Sequence, residues 1–204
     1  MSTRLSEIQV ACAGAGKTHT LANMIVKLST QETENCHKKT YAITFTNSAK
    51  RNIIHRVKEV VGSIPSNVII TTIHSFLLDE IIYPYSKFSN GVSYNKAVSI
   101  PLPHQQGLKA YKLKKLNESK IIHNSQVFKK AKIILDKKNK RKSMKNKIDV
   151  IYEHIMASIK HILIDEAQDM DSDAITIFNI LNYQPMPARR IYIPKEEIKF
   201  HGEF

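Results

Sequence analysis

Ala11-Cys12-Ala13-Gly14-Ala15-Gly16-Lys17-Thr18 is the stretch on which the reading of this chain turns. A short apolar run, Ile8-Gln9-Val10-Ala11, leads into it. After it, apolar side chains recur at Leu21, Met24, Ile25 and Leu28, the i, i+3, i+4, i+7 spacing of a one-sided helix. Strand, glycine-rich turn and helix together make the setting in which backbone N–H groups curl around a phosphate. Gly14 and Gly16 permit the curl, and the helix adds the positive end of its dipole. In such a loop Lys17 reaches the β- and γ-phosphates, and the Thr18 hydroxyl sits on Mg²⁺. Position 11 is Ala where the general pattern has Gly. The plain alternative is an ordinary Gly-rich turn followed by a chance Lys-Thr, and the downstream sequence weighs against it.

Outward from the loop, Tyr41-Ala42-Ile43-Thr44-Phe45-Thr46 predicts a second buried strand. Asn47 is placed to cap a helix carrying Ala49, Ile53, Ile54, Val57 and Val61, and Gly62 to end it. Residues 67–71 predict a third strand, with Thr72-Ile73-His74-Ser75-Phe76 opening another apolar helix. Strands alternating with helices predict an α/β domain with a parallel sheet. Working residues of such sheets collect at the C-terminal ends of the strands, where Thr46, Asn47, His74 and Ser75 fall. Ile162-Leu163-Ile164 predicts a further strand, running into Asp165-Glu166-Ala167-Gln168-Asp169. There Asp165 can hold Mg²⁺ through water, and Glu166 can take the proton of an attacking water. An Asp-Glu pair after a strand is common; behind a phosphate loop it reads as the other half of a nucleotide site.

With 204 residues the chain can bury one sizeable core and a small second unit. A formal net charge of +13 and a pI near 9.7 point to a polyanionic partner. Two cysteines, Cys12 and Cys36, make neither a disulfide framework nor a metal cluster, and Cys36-His37 reads as exposed and inert. They suit a reducing compartment. Neither a signal pattern nor an apolar run of bilayer length is seen, so the expectation is a cytoplasmic protein without a membrane partner.

The positive charge is concentrated. Between 109 and 147, fifteen lysines and arginines stand against Glu118 and Asp136, a local excess of +13. Val127, Ala131, Ile134 and Leu135 keep a helical stripe there, and residues 137–147 read as an exposed turn. A solvated Lys-rich face is the bland account; concentration of the charge favours a surface for a nucleic-acid backbone. The expected organisation is a first part of the α/β domain at 1–85, a basic helical insertion at 86–149, and the second part of the domain at 150–204.

Four stretches, in order, resemble motifs of the UvrD/Rep-type helicases of superfamily 1. Ala13-Gly14-Ala15-Gly16-Lys17-Thr18 is similar to motif I and Ile43-Thr44-Phe45-Thr46-Asn47-Ser48-Ala49 to motif Ia. Thr72-Ile73-His74-Ser75-Phe76 resembles motif Ib and Ile164-Asp165-Glu166-Ala167-Gln168-Asp169 motif II. The resemblance implies a RecA-like P-loop NTPase domain, the first motor domain of an ATP-dependent 3′–5′ DNA translocase, with a small basic insertion that helps grip DNA. It implies that Ala13, Gly14, Ala15, Gly16, Lys17, Thr18, His19 and Gln168 bind ATP, that Lys17, Asp165 and Glu166 are catalytic, and that Thr18 and Asp165 hold Mg²⁺. It implies further that Phe45, Thr46, Asn47, Arg56, His74 and Ser75 lie along single-stranded or junction DNA. The short insertion also resembles that of UvrD-like helicases of Gabija-type anti-phage systems.

Departures from the family pattern are equally specific. Gln9 lies within the first strand, and Lys50 replaces a usual small residue of motif Ia. Residues 191–200 are similar to the strand of motif III joined directly to its Pro-Lys, with Glu196 in place of Gln. Arg189 and Arg190 precede that strand. No second RecA-like domain follows within 204 residues, so the expectation is a truncated motor, inactive alone and dependent on a missing C-terminal half or a nuclease partner. A nucleotide- and DNA-binding regulatory module without turnover is the second reading. An unrelated P-loop kinase is the third, and it would need a lid and a substrate pocket that the sequence does not suggest.

Overall fold

The computed structural model describes residues 17–30, 38–138, 140–182 and 190–192, with backbone alone at 17, 18, 90, 168, 182 and 190–192. The expected strand at 8–11, the loop through Gly16, Cys36-His37 and residues 193–204 lie outside them. Two compact units make up the chain: Met1–Ile73 with Met156–Asp171 and Asn182–Phe204, and His74–Ile155 with Ser172–Leu181.

In chain order the elements are helix α1 (Lys17–Thr30), strand β1 (Lys39–Thr44), α2 (Asn47–Val61), β2 (Val68–Thr72), α3 (Ile73–Leu77), a π-helical turn (Leu78–Ile82) and α4 (Tyr83–Asn90). There follow β3 (Lys96–Val98), α5 (Gln106–Glu118), β4 (Ile121–His123), α6 (Val127–Leu135), α7 (Lys142–Ser158), β5 (Ile159–Ile164), α8 (Ser172–Asn182) and β6 (Arg190–Tyr192). Three-residue 3₁₀ turns precede α6 and α8.

The first unit is built on a parallel sheet of order β2-β1-β5-β6. Central strand β1 is buried from Thr40 to Thr44, on both faces, as strands of parallel sheets are. Its register sets Thr44 against Thr72 and Ile43 against Ile164, so three strands end level with one another. Ala42, Ile70 and Leu163 pack in one cluster with Leu21, Ile25 and Leu28 of α1 and Ile53 and Val57 of α2. Each such aliphatic side chain gains about 1.5–3 kcal/mol from burial. An exposed ion pair such as Arg56–Glu59 is worth about 0–1 kcal/mol, so apolar periodicity fixes where α2 lies.

The cap of α2 differs from expectation. Thr46, in extended backbone, accepts the Ala49 N–H on Oγ1 at 3.1 Å; Asn47 is already the first helical residue. The strand before it accordingly stops at Thr44 instead of Thr46. Gly62 closes α2 as expected: at φ 79° its N–H donates to the Lys58 carbonyl at 2.8 Å.

In the second unit α3, the π turn and α4 run on as one helical stretch. Tyr83 donates its N–H to the carbonyl of Leu78, five residues back, and Pro84 follows with no N–H to give. Ile81, Ile82, Val127, Ala131, Ile134 and Leu135 are buried in this unit, where the π turn and α4 pack on α6. Phe76 stacks on Phe178 of α8 at 6.0 Å. The segment expected at 86–149 is therefore contained in a larger unit, and it is not purely helical. β3 and β4 form a parallel pair, braced by His123, whose Nε2 lies 2.9 Å from the Ile100 carbonyl while Nδ1 accepts the Ser125 N–H at 3.1 Å. Residues 137–147 are only partly a turn, since α7 begins at Lys142. Its apolar positions Ile148, Ile151, Tyr152 and Ile155 are buried and draw the helix back into the lysine-rich stretch. Lys137 ion-pairs with Asp149.

Candidate functional site

The level strand ends of the first unit place the chemistry. β5 runs out in Asp165, which is 8% exposed and donates its N–H to the Ile43 carbonyl at 2.9 Å. That bond extends the ladder, so Asp165 stands beside Thr44. Glu166, half-buried, takes a left-handed backbone at φ 55° and starts the 3₁₀ turn Ala167–Asp169. Thr44 is fully buried and its Oγ1 has no hydrogen-bond partner. An aspartate at the C-terminal edge of a parallel sheet is the type of residue that holds a hydrated Mg²⁺. The neighbouring Glu166 carboxylate is the type of group that accepts a proton from water.

Of the phosphate-loop residues, Ala13, Gly14, Ala15 and Gly16 lie outside the described residues. The backbone of Lys17 and Thr18 opens α1, and His19 is exposed on its first turn. Gln168 sits in the 3₁₀ turn behind Glu166.

The residues expected along DNA divide into two sets. Phe45 is half-buried and Thr46 and Asn47 are exposed, directly past the end of β1 in the first unit. Arg56 is exposed on α2, its Nη1 2.8 Å from Glu59 Oε2. Glu59 also lies 3.3 Å from His55 Nδ1, so its carboxylate is shared between Arg56 and His55. His74 and Ser75 are half-buried in the second unit, where the His74 ring meets Phe128 edge-on at 4.9 Å. That aromatic pairing fixes His74, and no spacing in the sequence announces it. Arg190 lies within β6, opposite His161, and not ahead of the strand.

The basic stretch is not uniformly available either. Lys132 Nζ lies 2.6 Å from Asp173, and a cleft of about 450 Å³ is lined by Lys129, Lys132, Lys138, Lys140, Asp136 and Asp173 with Ile133.

A parallel sheet, helices packed against it and an acidic pair at the end of a strand make the first unit part of a RecA-like α/β nucleotide-binding domain. Residues 6–151 match the model of the UvrD/REP helicase N-terminal domain, and the chain belongs to that family. It has no match among curated proteins. No helix among the described residues is long and apolar enough to cross a membrane.

Proposed function

We propose that this chain binds ATP–Mg²⁺ between the Ala13–Thr18 loop and the acidic end of β5, and that nucleotide binding is coupled to a grip on single-stranded DNA. Support comes chiefly from one observation, the buried Asp165 held level with the ends of β1 and β2. Lys17 would hold the β- and γ-phosphates, with Thr18 and Asp165 on the metal. Mg²⁺ would neutralise charge on the phosphates, and Glu166 would orient and deprotonate water. His19 and Gln168 would bound the nucleotide. Phe45, Thr46, Asn47, Arg56, His74 and Ser75 would follow the strand, with the basic insertion at 86–149 on its phosphates.

Turnover would also draw on an arginine presented across the cleft, which contributes roughly 10³–10⁵ in rate in P-loop systems, about 4–7 kcal/mol of barrier.

The test is titration of a fluorescent ATP analogue with and without Mg²⁺. Binding should be lost in Lys17→Ala and should lose its Mg²⁺ dependence in Asp165→Asn. Equal binding by Lys17→Ala and the parent would disprove the nucleotide site.

A further inference from the structure

The exposed face of α5 carries an unassigned feature. This helix of 13 residues buries none of its side chains completely, although Lys112, Leu113, Leu116 and Asn117 turn partly inward. Its outer face bears Leu108 and Tyr111, 53% and 58% exposed, at i and i+3, with Lys115 at i+7 on the same stripe. An isolated exposed leucine needs no explanation. Tyr111 is different, because Lys115 Nζ lies 5.2 Å from its ring centroid, so an aromatic plane and an ammonium are presented together. Lys112 is otherwise engaged, donating to the Pro101 carbonyl at 2.9 Å and tying the lead-in segment to the helix.

We propose that this face of α5 binds single-stranded nucleic acid, with Tyr111 stacking on a base while Lys114 and Lys115 take the adjoining phosphates. The inference rests on the nucleic-acid reading above, which sets the basic insertion on the strand's phosphates, and adds to it an interaction with bases at a named residue. Charge chooses the occupant. α5 carries four lysines against Glu118, and a helix docking a protein partner would want a longer apolar seam than one leucine and one tyrosine. Base–aromatic stacking tolerates any sequence and is insensitive to salt, whereas lysine–phosphate pairing releases counterions and is strongly salt-dependent. The two contributions therefore separate in one experiment.

Fluorescence anisotropy with a labelled oligothymidylate, repeated across a salt series, makes the measurement. A 2-aminopurine oligonucleotide reports stacking directly. Tyr111→Ala should weaken binding about 5- to 150-fold, leave the salt slope unchanged and abolish 2-aminopurine quenching, while Tyr111→Phe stays close to the parent. The double reversal Lys114→Glu/Lys115→Glu should flatten the slope by roughly 0.7 for each phosphate no longer neutralised. More than half exposed, Tyr111 can be truncated without loss of the fold, which an unchanged melting curve would verify. Parent-like affinity and quenching in Tyr111→Ala overturns the proposal and leaves the face to a protein partner. A parent chain that binds no oligonucleotide overturns the broader nucleic-acid reading along with it.

Discussion

Asp165 donates its main-chain N–H to the carbonyl oxygen of Ile43 at 2.9 Å, one residue beyond the last paired residues of β1 and β5. The bond pins the carboxylate-bearing residue to the edge of the sheet. Glu166 then leaves the ladder in left-handed backbone, so two adjacent acids are held by different means: one by the sheet, the other by a turn.

Left-handed backbone gives a stability test. Lys120 at φ 60° and Glu166 at φ 55° are the residues other than glycine with positive φ among those described. Such a conformation costs an ordinary side chain about 1–2 kcal/mol. Lys120→Gly, at an exposed position, should raise the stability of the chain by about 0.5–1 kcal/mol once the entropy of glycine in the unfolded chain is set against it. Lys120→Val should lower it by more. Chemical denaturation of the three proteins decides, and a less stable glycine variant would contradict the account.

The helix cap gives a second test. Thr46→Ala should cost about 1 kcal/mol through loss of the bond to the Ala49 N–H, Thr46→Ser much less, and Asn47→Ala little. Equal losses at 46 and 47 would show that the cap is misassigned. Because this measurement needs no DNA, it separates the structural role of Thr46 from any role in binding.

Lysines of the basic stretch should differ in effect. Lys142, Lys145 and Lys147 are exposed at the start of α7, whereas Lys132 and Lys137 face Asp173 and Asp149. Reversing the three exposed lysines to Glu should weaken single-strand binding at every sequence. The slope of log K against log salt should fall by as much as about 2, from roughly 0.7 per phosphate. Lys137→Ala should shift stability by less than about 1 kcal/mol and hardly move that slope. A steep slope surviving the triple reversal would place the phosphates elsewhere.

At alkaline pH the second unit should weaken. Burial raises the phenols of Tyr83 and Tyr85 above the usual 10, and the charges of Asp79 and Glu80 respectively push the same way. The fold thus favours the neutral phenols. Their contribution is complete below pH 10 and is lost as pH climbs through the raised values. The melting temperature should begin to fall above about pH 10, and Tyr83→Phe or Tyr85→Phe should flatten that fall. Indifference of the parent to pH between 9 and 11 would contradict the assignment.

Much of the first unit is legible in the sequence because it rests on strong, local signals. The apolar runs at 41–44, 68–71 and 162–164 have to be buried strands. An acidic pair closing the last of them falls at the sheet's C-terminal edge for the same reason. The cap of α2 lies one residue from where the sequence puts it, since Thr, Asn and Ser all cap helices and only backbone angles tell which does. Phe45 follows a buried strand yet lies half-exposed, because the strand ends one residue before it. The three-residue strands β3 and β4 are too short for periodicity to show. The start of α7 hides behind lysines, whose charge says nothing about whether the backbone is helical. The His74–Phe128 pairing joins residues 54 apart in sequence and leaves no local trace.

The wide turn at Leu78–Ile82 holds one residue more than a regular helical turn would. Because it absorbs that residue locally, deleting one there would restore an ordinary turn of about 3.6 residues and leave the later positions on the faces they now occupy. Ser86 would still accept the Tyr94 N–H, and Tyr85 would still meet His154. Relatives lacking the turn should therefore align across this point with a one-residue gap and keep the same partners at both positions.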